Sequence, residues 1–312
     1  MRKPANHVTL PSDVINVCQE YITEHDIKKI QDIDFITSNT FLREKIGGIG
    51  DISSIEAELA DDGNGITYID FNIPATVDLQ QSIIISLVLF NYINTSIFTP
   101  ALDIKNSSPF TLHRSTAENK NAMISAGIKF YQPDEKLGYH NDVYRDSNRY
   151  FIPKYVSLSN LFIGYKSPGE FLYINKNHWP EFNTLYDRGH EKHFNFRPTP
   201  VVYESVLKNA PGLDDWVKIP VFWQNQAGER YAFCNGELED IDDGTTIISE
   251  MKDTLLNTQN PIAIPQAIGR VQVFRNDLGF HSRDIFRDQY VLNGTTRLFA
   301  RAVSQEAVDI PI

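Results

Sequence analysis

Apolar residues recur at helical spacing through the first part of the chain and in short, strand-like bursts after it. Between residues 11 and 46, Val14, Ile15, Val17, Cys18, Tyr21 and Ile22 follow a helix-like period behind the capping residue Ser12. This stretch is therefore expected to be helical until the Gly47-Gly48-Ile49-Gly50 cluster breaks it. The run Gly65 to Pro74 reads as a strand entering a proline-bounded turn, and the apolar segment 79–93 as a buried helix. The glycine cluster is read as a flexible connection rather than a phosphate cradle, because no strand precedes it and no Lys-Ser/Thr follows it.

Beyond residue 120 the texture changes. β-Branched and aromatic residues come in short segments at 126–131, 151–163, 171–175, 199–206, 217–223, 229–234, 269–275 and 296–303, separated by Pro, Gly, Asn and Asp. Many short strands with turn signals between them predict a barrel or jelly roll, interrupted by one helix at 242–258. No internal repeat, low-complexity tract or linker divides the chain. It is read as one domain over 1–312, with a largely helical part to residue 120 and a β-rich core over 121–312.

Composition narrows the function. The 312 residues are 41% hydrophobic, enough for a sizeable core. A net charge of −11 argues against non-specific nucleic-acid binding, which needs clustered Lys and Arg, but leaves room for a cationic small molecule. Residues 1–7 carry two positive charges with no apolar run behind them and do not read as a secretory signal. The longest apolar stretch, Ile83 to Phe90, falls far short of the ~20 residues a membrane span requires. Cys18 and Cys234 lack the spacing of a disulfide framework or zinc ribbon and fit a reducing, cytoplasmic setting.

Candidate chemistry begins at Gly138-Tyr139-His140-Asn141-Asp142-Val143-Tyr144. In an extended strand, residues two apart project from one face, so His140 and Asp142 offer an imidazole and a carboxylate to the same ion. That is two thirds of the two-histidine, one-carboxylate set of non-haem iron(II) sites. By itself His-x-Asp is a weak signal. Residues 274–283 add a distal histidine, His281, and Arg297-Leu298-Phe299-Ala300-Arg301 adds two arginines. His190-Glu191-Lys192-His193 lacks the context of a metalloprotease motif, and His25, His113 and His178 have no partner at ligand spacing, so these are read as ordinary surface or packed residues.

In order and spacing, several pieces resemble the clavaminate synthase-like branch of iron(II)/2-oxoglutarate dioxygenases over roughly residues 65–303. They are Gly-Tyr-His140-Asn-Asp142, the strands at Pro153–Ser159 and Gly169-Glu170, Asn276 five positions before His281, His281-Ser-Arg283, and Arg297-x-x-x-Arg301. The resemblance implies a mainly β protein with flanking helices around a double-stranded β-helix (jelly-roll) core. A lid insertion, about 176–260, would lie between the carboxylate and the distal histidine. His140, Asp142 and His281 would be the catalytic iron(II) ligands, with 2-oxoglutarate as cosubstrate and O2 as oxidant. The branch commonly has Glu where Asp142 stands; a carboxylate of either kind favours hydroxylation over halogenation. Arg297 would hold the far carboxylate of 2-oxoglutarate, which calls for a planar, bidentate cation. Arg301 would lie near it and meet a substrate carboxylate. The 16 residues from His281 to Arg297 exceed the branch pattern, so these two roles stay interchangeable. Tyr173 stands where relatives carry a Thr that touches the cosubstrate, with Ser157 and Ser159 as alternatives.

Relatives in this branch hydroxylate free amino acids. Arginine-acting members carry an Asp-x-Asp pair on the lid side, where this chain has Asn235 and Glu237. One carboxylate with an amide suits a compact ammonium better than a guanidinium fork, so the implied substrate is free L-lysine, hydroxylated at an unactivated carbon. Arginine or another small polar metabolite is the alternative, and Asn235-Gly236 also reads as a plain hairpin turn. A non-catalytic jelly-roll binding protein is a further reading, against which the arginine pair counts. Neither a nucleic acid nor a membrane is an expected partner, and a homo-oligomer is compatible with the helical N-terminal part.

Overall fold

The computed structural model describes residues 3–103, 107–116, 132–146, 149–197, 216–235, 238–241, 246–291 and 294–311. The strands expected at 126–131 and 199–206 fall outside these residues. Two sheets face each other. The larger runs in the order Asn6–Thr9, Ile66–Asp70, Arg270–Arg275, Tyr155–Ile163, Thr295–Val303, Thr111–Thr116, and the smaller in the order Lys3–Pro4, Ile262–Pro265, Glu170–Asn175, Gly279–Arg283, Leu137–His140. Pairing is parallel where the two N-terminal strands join and antiparallel elsewhere in both sheets. Ile66, Val156 and Phe274 from the larger sheet close on Phe171, Tyr173, Ile262 and Ile264 from the smaller. The protein is mainly β with flanking helices, as expected.

Helices cover the outer face of the six-stranded sheet. Val271, Val273, Ala300 and Ala302 on that face share one core with the helices Val14–Glu24, Phe35–Ile46, Ile52–Leu59 and Leu79–Ile97. Asp78 caps the last of these by accepting from the Gln81 N–H at 2.9 Å. Every residue from Ile84 to Asn94 is buried, which is why that segment is apolar all round apart from Ser86, Asn91 and Asn94.

Two expectations for this part need correction. The helical stretch at 11–46 is two helices: the first ends at His25, Asp26 takes a left-handed φ of 50°, and Asp34 caps the second through the Ile36 and Thr37 N–H groups. Apolar periodicity hides the break because Ile27 and Ile33, between the helices, are buried too. Besides the expected strand at Ile66–Asp70, the part to residue 120 supplies three strands that were not expected, Lys3–Pro4, Asn6–Thr9 and Thr111–Thr116, and the partners of these four mostly lie far along the chain. Asp70, for example, pairs in register with Arg270 and binds its guanidinium at 2.6 and 2.7 Å.

The outer face of the five-stranded sheet is covered by residues of the expected insertion. Leu172, Ile174 and Phe280 pack against the helices Phe182–Gly189 and Ile247–Asn257 and the strands His193–Phe196 and Val217–Pro220. Cys18 and Cys234 are both buried and free. No helix among the described residues is long and apolar enough to cross a membrane.

The two sheets are joined where Arg270–Arg275 passes into Gly279–Arg283 through Asn276, Asp277 and Leu278 alone. Arg275 forks onto Asp277 at 2.8 and 2.9 Å and donates to the Leu59 carbonyl at 2.9 Å, so this buried pair is well satisfied. Tyr173 donates its hydroxyl to the Arg275 carbonyl at 2.8 Å. Gly279 lies so close that a Cβ there would come within 2.5 Å of both the Tyr173 hydroxyl and the Ile174 carbonyl. Gly279→Ala is therefore expected to cost about 1–3 kcal/mol in a denaturant titration, as overpacking does; an unchanged midpoint would contradict this close approach.

Candidate metal centre

The strand Leu137–His140 pairs with Gly279–Arg283 so that His140 and His281 are direct partners. Their side chains therefore share a face, with ring centroids 4.1 Å apart. Asp142 brings Oδ1 to 3.9 Å from Nε2 of each imidazole. One donor atom from each residue lies within 4.8 Å of the others, a span that one ion can bridge, and no other such group of three occurs among the described residues. His140 Nδ1 donates to the Gly138 carbonyl at 2.9 Å, which leaves Nε2 as the lone-pair donor facing the cluster. The expectation that His140 and Asp142 share a strand is corrected: the strand ends at His140, and Asp142 reaches the cluster from the loop that follows.

Burial pushes the pKa of both imidazoles down, for His281 well below the usual histidine range, with His140 adding to the shift. Burial alone would raise Asp142. The Arg301 guanidinium, with Nη1 3.4 Å from Asp142 Oδ2, and the two imidazoles outweigh it and hold the carboxyl below its ordinary range. The donor set is thus two neutral imidazoles and one carboxylate, the protonation state a divalent cation requires.

The strand Thr295–Val303 presents Arg297, Phe299 and Arg301 to the inter-sheet space. Arg301 is the nearer to the cluster and lies over the Tyr144 ring at 5.7 Å. Arg297 is buried; its Nε donates to Asn160 Oδ1 at 2.8 Å and its Nη2 to Gln266 Oε1 at 3.1 Å. Arg283 is buried as well, with Nη2 donating to the Gln132 and Glu135 carbonyls and Nη1 without a hydrogen-bond partner. Both guanidiniums stack on Phe286, at 4.9 and 5.4 Å from the ring centre. Burial, and then the neighbouring Arg283, drive the Arg297 pKa well below the usual arginine range. Among the described residues neither arginine forms an ion pair with a carboxylate. Asp134 and Glu135 act on Arg283 only from a distance, and burying a cation without a carboxylate in contact costs several kcal/mol after relaxation.

No protein-family model matches this chain, and no curated protein matches it. Solved structures do. The chain is similar to the non-haem iron oxygenase OrfP with Fe, succinate and (3S)-hydroxy-L-Arg, at a TM-score of 0.63 and 15% identity over 96% of this chain and 94% of that one. It is similar to OrfP with Fe and alpha-ketoglutaric acid, at 0.60 and 11% over 96% and 93%. An asparagine oxygenase with Fe(II), 2S,3S-3-hydroxyasparagine and succinate matches at 0.60 and 12% over 96% and 93%. The chain has the fold of these non-haem iron oxygenases.

Other sequence candidates are placed as follows. Tyr173 is the register partner of His281, yet its hydroxyl is engaged by the Arg275 carbonyl and its ring packs on Phe274, a placement that does not support contact with a cosubstrate. Ser157 and Ser159 pair with Val273 and Val271 on the helix-covered face, so strand alternation turns them away from the centre. Asn235 is buried directly after Cys234, whose backbone exchanges a hydrogen bond with Asn141. Glu237 lies outside the described residues.

Two inward residues were given no role by sequence reasoning. Arg283 stands two positions after His281 on the same strand, and that period-2 spacing was the available signal. His113 pairs with Phe299 and stacks on it at 4.8 Å. Burial, followed by Arg301, lowers its pKa to about 3, which makes it a neutral imidazole beside the centre. Nothing in the local sequence points to it, because its partner strand lies near the other end of the chain.

Titration with cobalt(II) is expected to show one ion bound per chain. His281→Ala, which removes a ligand, should weaken binding by more than the roughly 10–100-fold typical of lost outer partners, and His190→Ala should leave it unchanged. Equal affinity in the His281→Ala protein would contradict the assignment.

Proposed function

We propose that this protein is an iron(II)- and 2-oxoglutarate-dependent oxygenase that hydroxylates an unactivated carbon of a free amino acid, built on a double-stranded β-helix core. One observation carries the proposal: a two-histidine, one-carboxylate cluster shares the inter-sheet space with two buried guanidiniums that lack a carboxylate partner. Such a triad is characteristic of non-haem iron(II) oxygenases. A structural metal site alone would have no use for the arginines.

In this reading His140 Nε2, His281 Nε2 and Asp142 hold the iron. When bound, the iron supplies the redox chemistry by which dioxygen converts 2-oxoglutarate to succinate and carbon dioxide and a substrate C–H to C–OH. The protein's part is positioning. The Gly138 carbonyl fixes the His140 tautomer, and Arg301 fixes Asp142 as an anion. Arg297, aligned by Asn160 and Gln266, receives the far carboxylate of 2-oxoglutarate, with Arg283 beside it. The order along the strand supports this division of roles, since Arg301 contacts the ligand set and Arg297 lies further from it. Arg301 and the neutral His113 face the remaining space, where an amino-acid carboxylate would meet Arg301. Phe171 and Phe274 pack on the His281 ring and Phe299 on the His113 ring, lining the same interior.

L-Lysine is the substrate we favour, because Asn235 and Glu237 provide one amide and one carboxylate where paired carboxylates would suit a guanidinium. L-Arginine is the second reading, favoured by the similarity to OrfP solved with hydroxy-L-Arg. The test supplies iron(II), ascorbate, 2-oxoglutarate and a panel of free amino acids, and follows succinate together with a mass gain of one oxygen. Coupled turnover with lysine, reduced at least about tenfold in Glu237→Gln, is expected, the change being loss of a charge-assisted contact worth roughly 1.5–3 kcal/mol. Turnover with lysine untouched by Glu237→Gln contradicts the role of that residue. No consumption of 2-oxoglutarate with iron bound contradicts the oxygenase.

A further inference from the structure

We propose that Asn276 and Asn141 are positioning residues that set the carboxylate ligand Asp142 and lock it to the hairpin carrying His281. The inference rests on the metal-centre reading above and assigns to two buried amides a task that neither motif spacing nor strand pairing supplies.

The need arises from the local structure. His140 and His281 are held by a β-ladder, whereas Asp142 lies beyond the end of its strand. The Asn276 side chain stands in for the missing ladder partner. Its Oδ1 accepts from the Asp142 N–H at 2.9 Å and its Nδ2 donates to the Asp142 carbonyl at 2.8 Å, with a second donation to the Pro153 carbonyl at 3.2 Å. Only a planar amide both accepts and donates in this way; an Asp side chain of the same shape has no N–H to give. Asn276 is fully buried, so no water substitutes for these bonds.

Asn141 closes the arrangement. Its Nδ2 donates to the carbonyls of Asn276 and Gly279 at 2.7 and 2.9 Å, the two ends of the turn that leads into His281. Its Oδ1 accepts from the Cys234 N–H at 2.9 Å, and its own N–H donates to the Cys234 carbonyl at 2.9 Å. The three-residue connection between the sheets thereby governs two ligands at once: His281 through the strand it starts, and Asp142 through the Asn276 amide. The same loop holds the end of the 230–234 segment, immediately before Asn235.

A merely structural role for these amides makes a different forecast, so a control is needed. Asn91 is equally buried and donates to the Phe35 carbonyl at 3.0 Å on the helical side of the large sheet. The experiment measures cobalt(II) affinity by calorimetry, the absorption spectrum of the bound cobalt, and the metal-free unfolding midpoint. It uses the full chain and its Asn276→Ala, Asn276→Gln, Asn141→Ala and Asn91→Ala variants. Loss of an outer partner typically costs about 10–100-fold in metal affinity, and that loss is expected for Asn276→Ala and Asn141→Ala, with a changed cobalt spectrum. Asn276→Gln, which keeps an amide, should recover part of the affinity, and it carries the comparison together with Asn141→Ala if Asn276→Ala does not fold. Asn91→Ala should lower the unfolding midpoint and leave affinity and spectrum unchanged. Folded Asn276 and Asn141 variants that bind cobalt within about twofold of the parent would overturn the proposal, as would an equal loss in Asn91→Ala. Absence of cobalt binding by the parent chain is a separate result, and it removes the metal-centre reading itself.

Discussion

The antiparallel register between Leu137–His140 and Gly279–Arg283 is the constraint on which the rest of this structure depends. Because side chains alternate across a strand, a slip of one residue would turn either histidine to the opposite face. The register is secured on both sides. Tyr173, Leu172 and Phe171 pair with His281, Ser282 and Arg283 along the neighbouring strand, and the Arg275–Asp277 fork braces the turn that starts it. The helices cover one outer face of the paired sheets and residues of the insertion cover the other, where Asn235 also lies.

The inner faces carry two buried arginines that form no ion pair with a carboxylate among the described residues. Arg297 and Arg283 are tied to neutral amides and carbonyls, whereas Arg275 and Arg270 elsewhere are matched to carboxylates. Buried cations without a carboxylate in contact are destabilising, and in the proposed reading the far carboxylate of 2-oxoglutarate supplies that contact. Asp142 links the two halves, since its carboxylate faces both imidazoles and Arg301.

Much of this was legible in the sequence. Strands within 151–163, 171–175, 269–275 and 296–303 followed from short apolar runs between turn residues, and motif order put forward His140, Asp142, His281, Arg297 and Arg301 as candidates. What escaped was whatever depends on partners distant in the chain. His113 became an inward residue only through pairing with Phe299, and Arg283 gained meaning only once Phe286 stacked beneath it and Arg297. Tyr173 matched a position in the motif, but its hydroxyl answers to a backbone carbonyl on another strand. The strands Lys3–Pro4, Asn6–Thr9 and Thr111–Thr116 were invisible for the same reason, since a strand of two to six residues is defined by the partner it finds. Asp142 acts from a loop because Asn276, far along the chain, supplies the pairing that its own strand does not.

The central claim is that metal and dicarboxylate share one inter-sheet site. The most direct measurement adds 2-oxoglutarate to the iron(II)-loaded protein without oxygen and records the visible absorption spectrum. A metal-to-ligand charge-transfer band, absent with iron(II) alone and formed only when the 2-oxo acid chelates the metal, is the predicted result. Binding of both iron(II) and 2-oxoglutarate with no such band would place them apart and contradict the account.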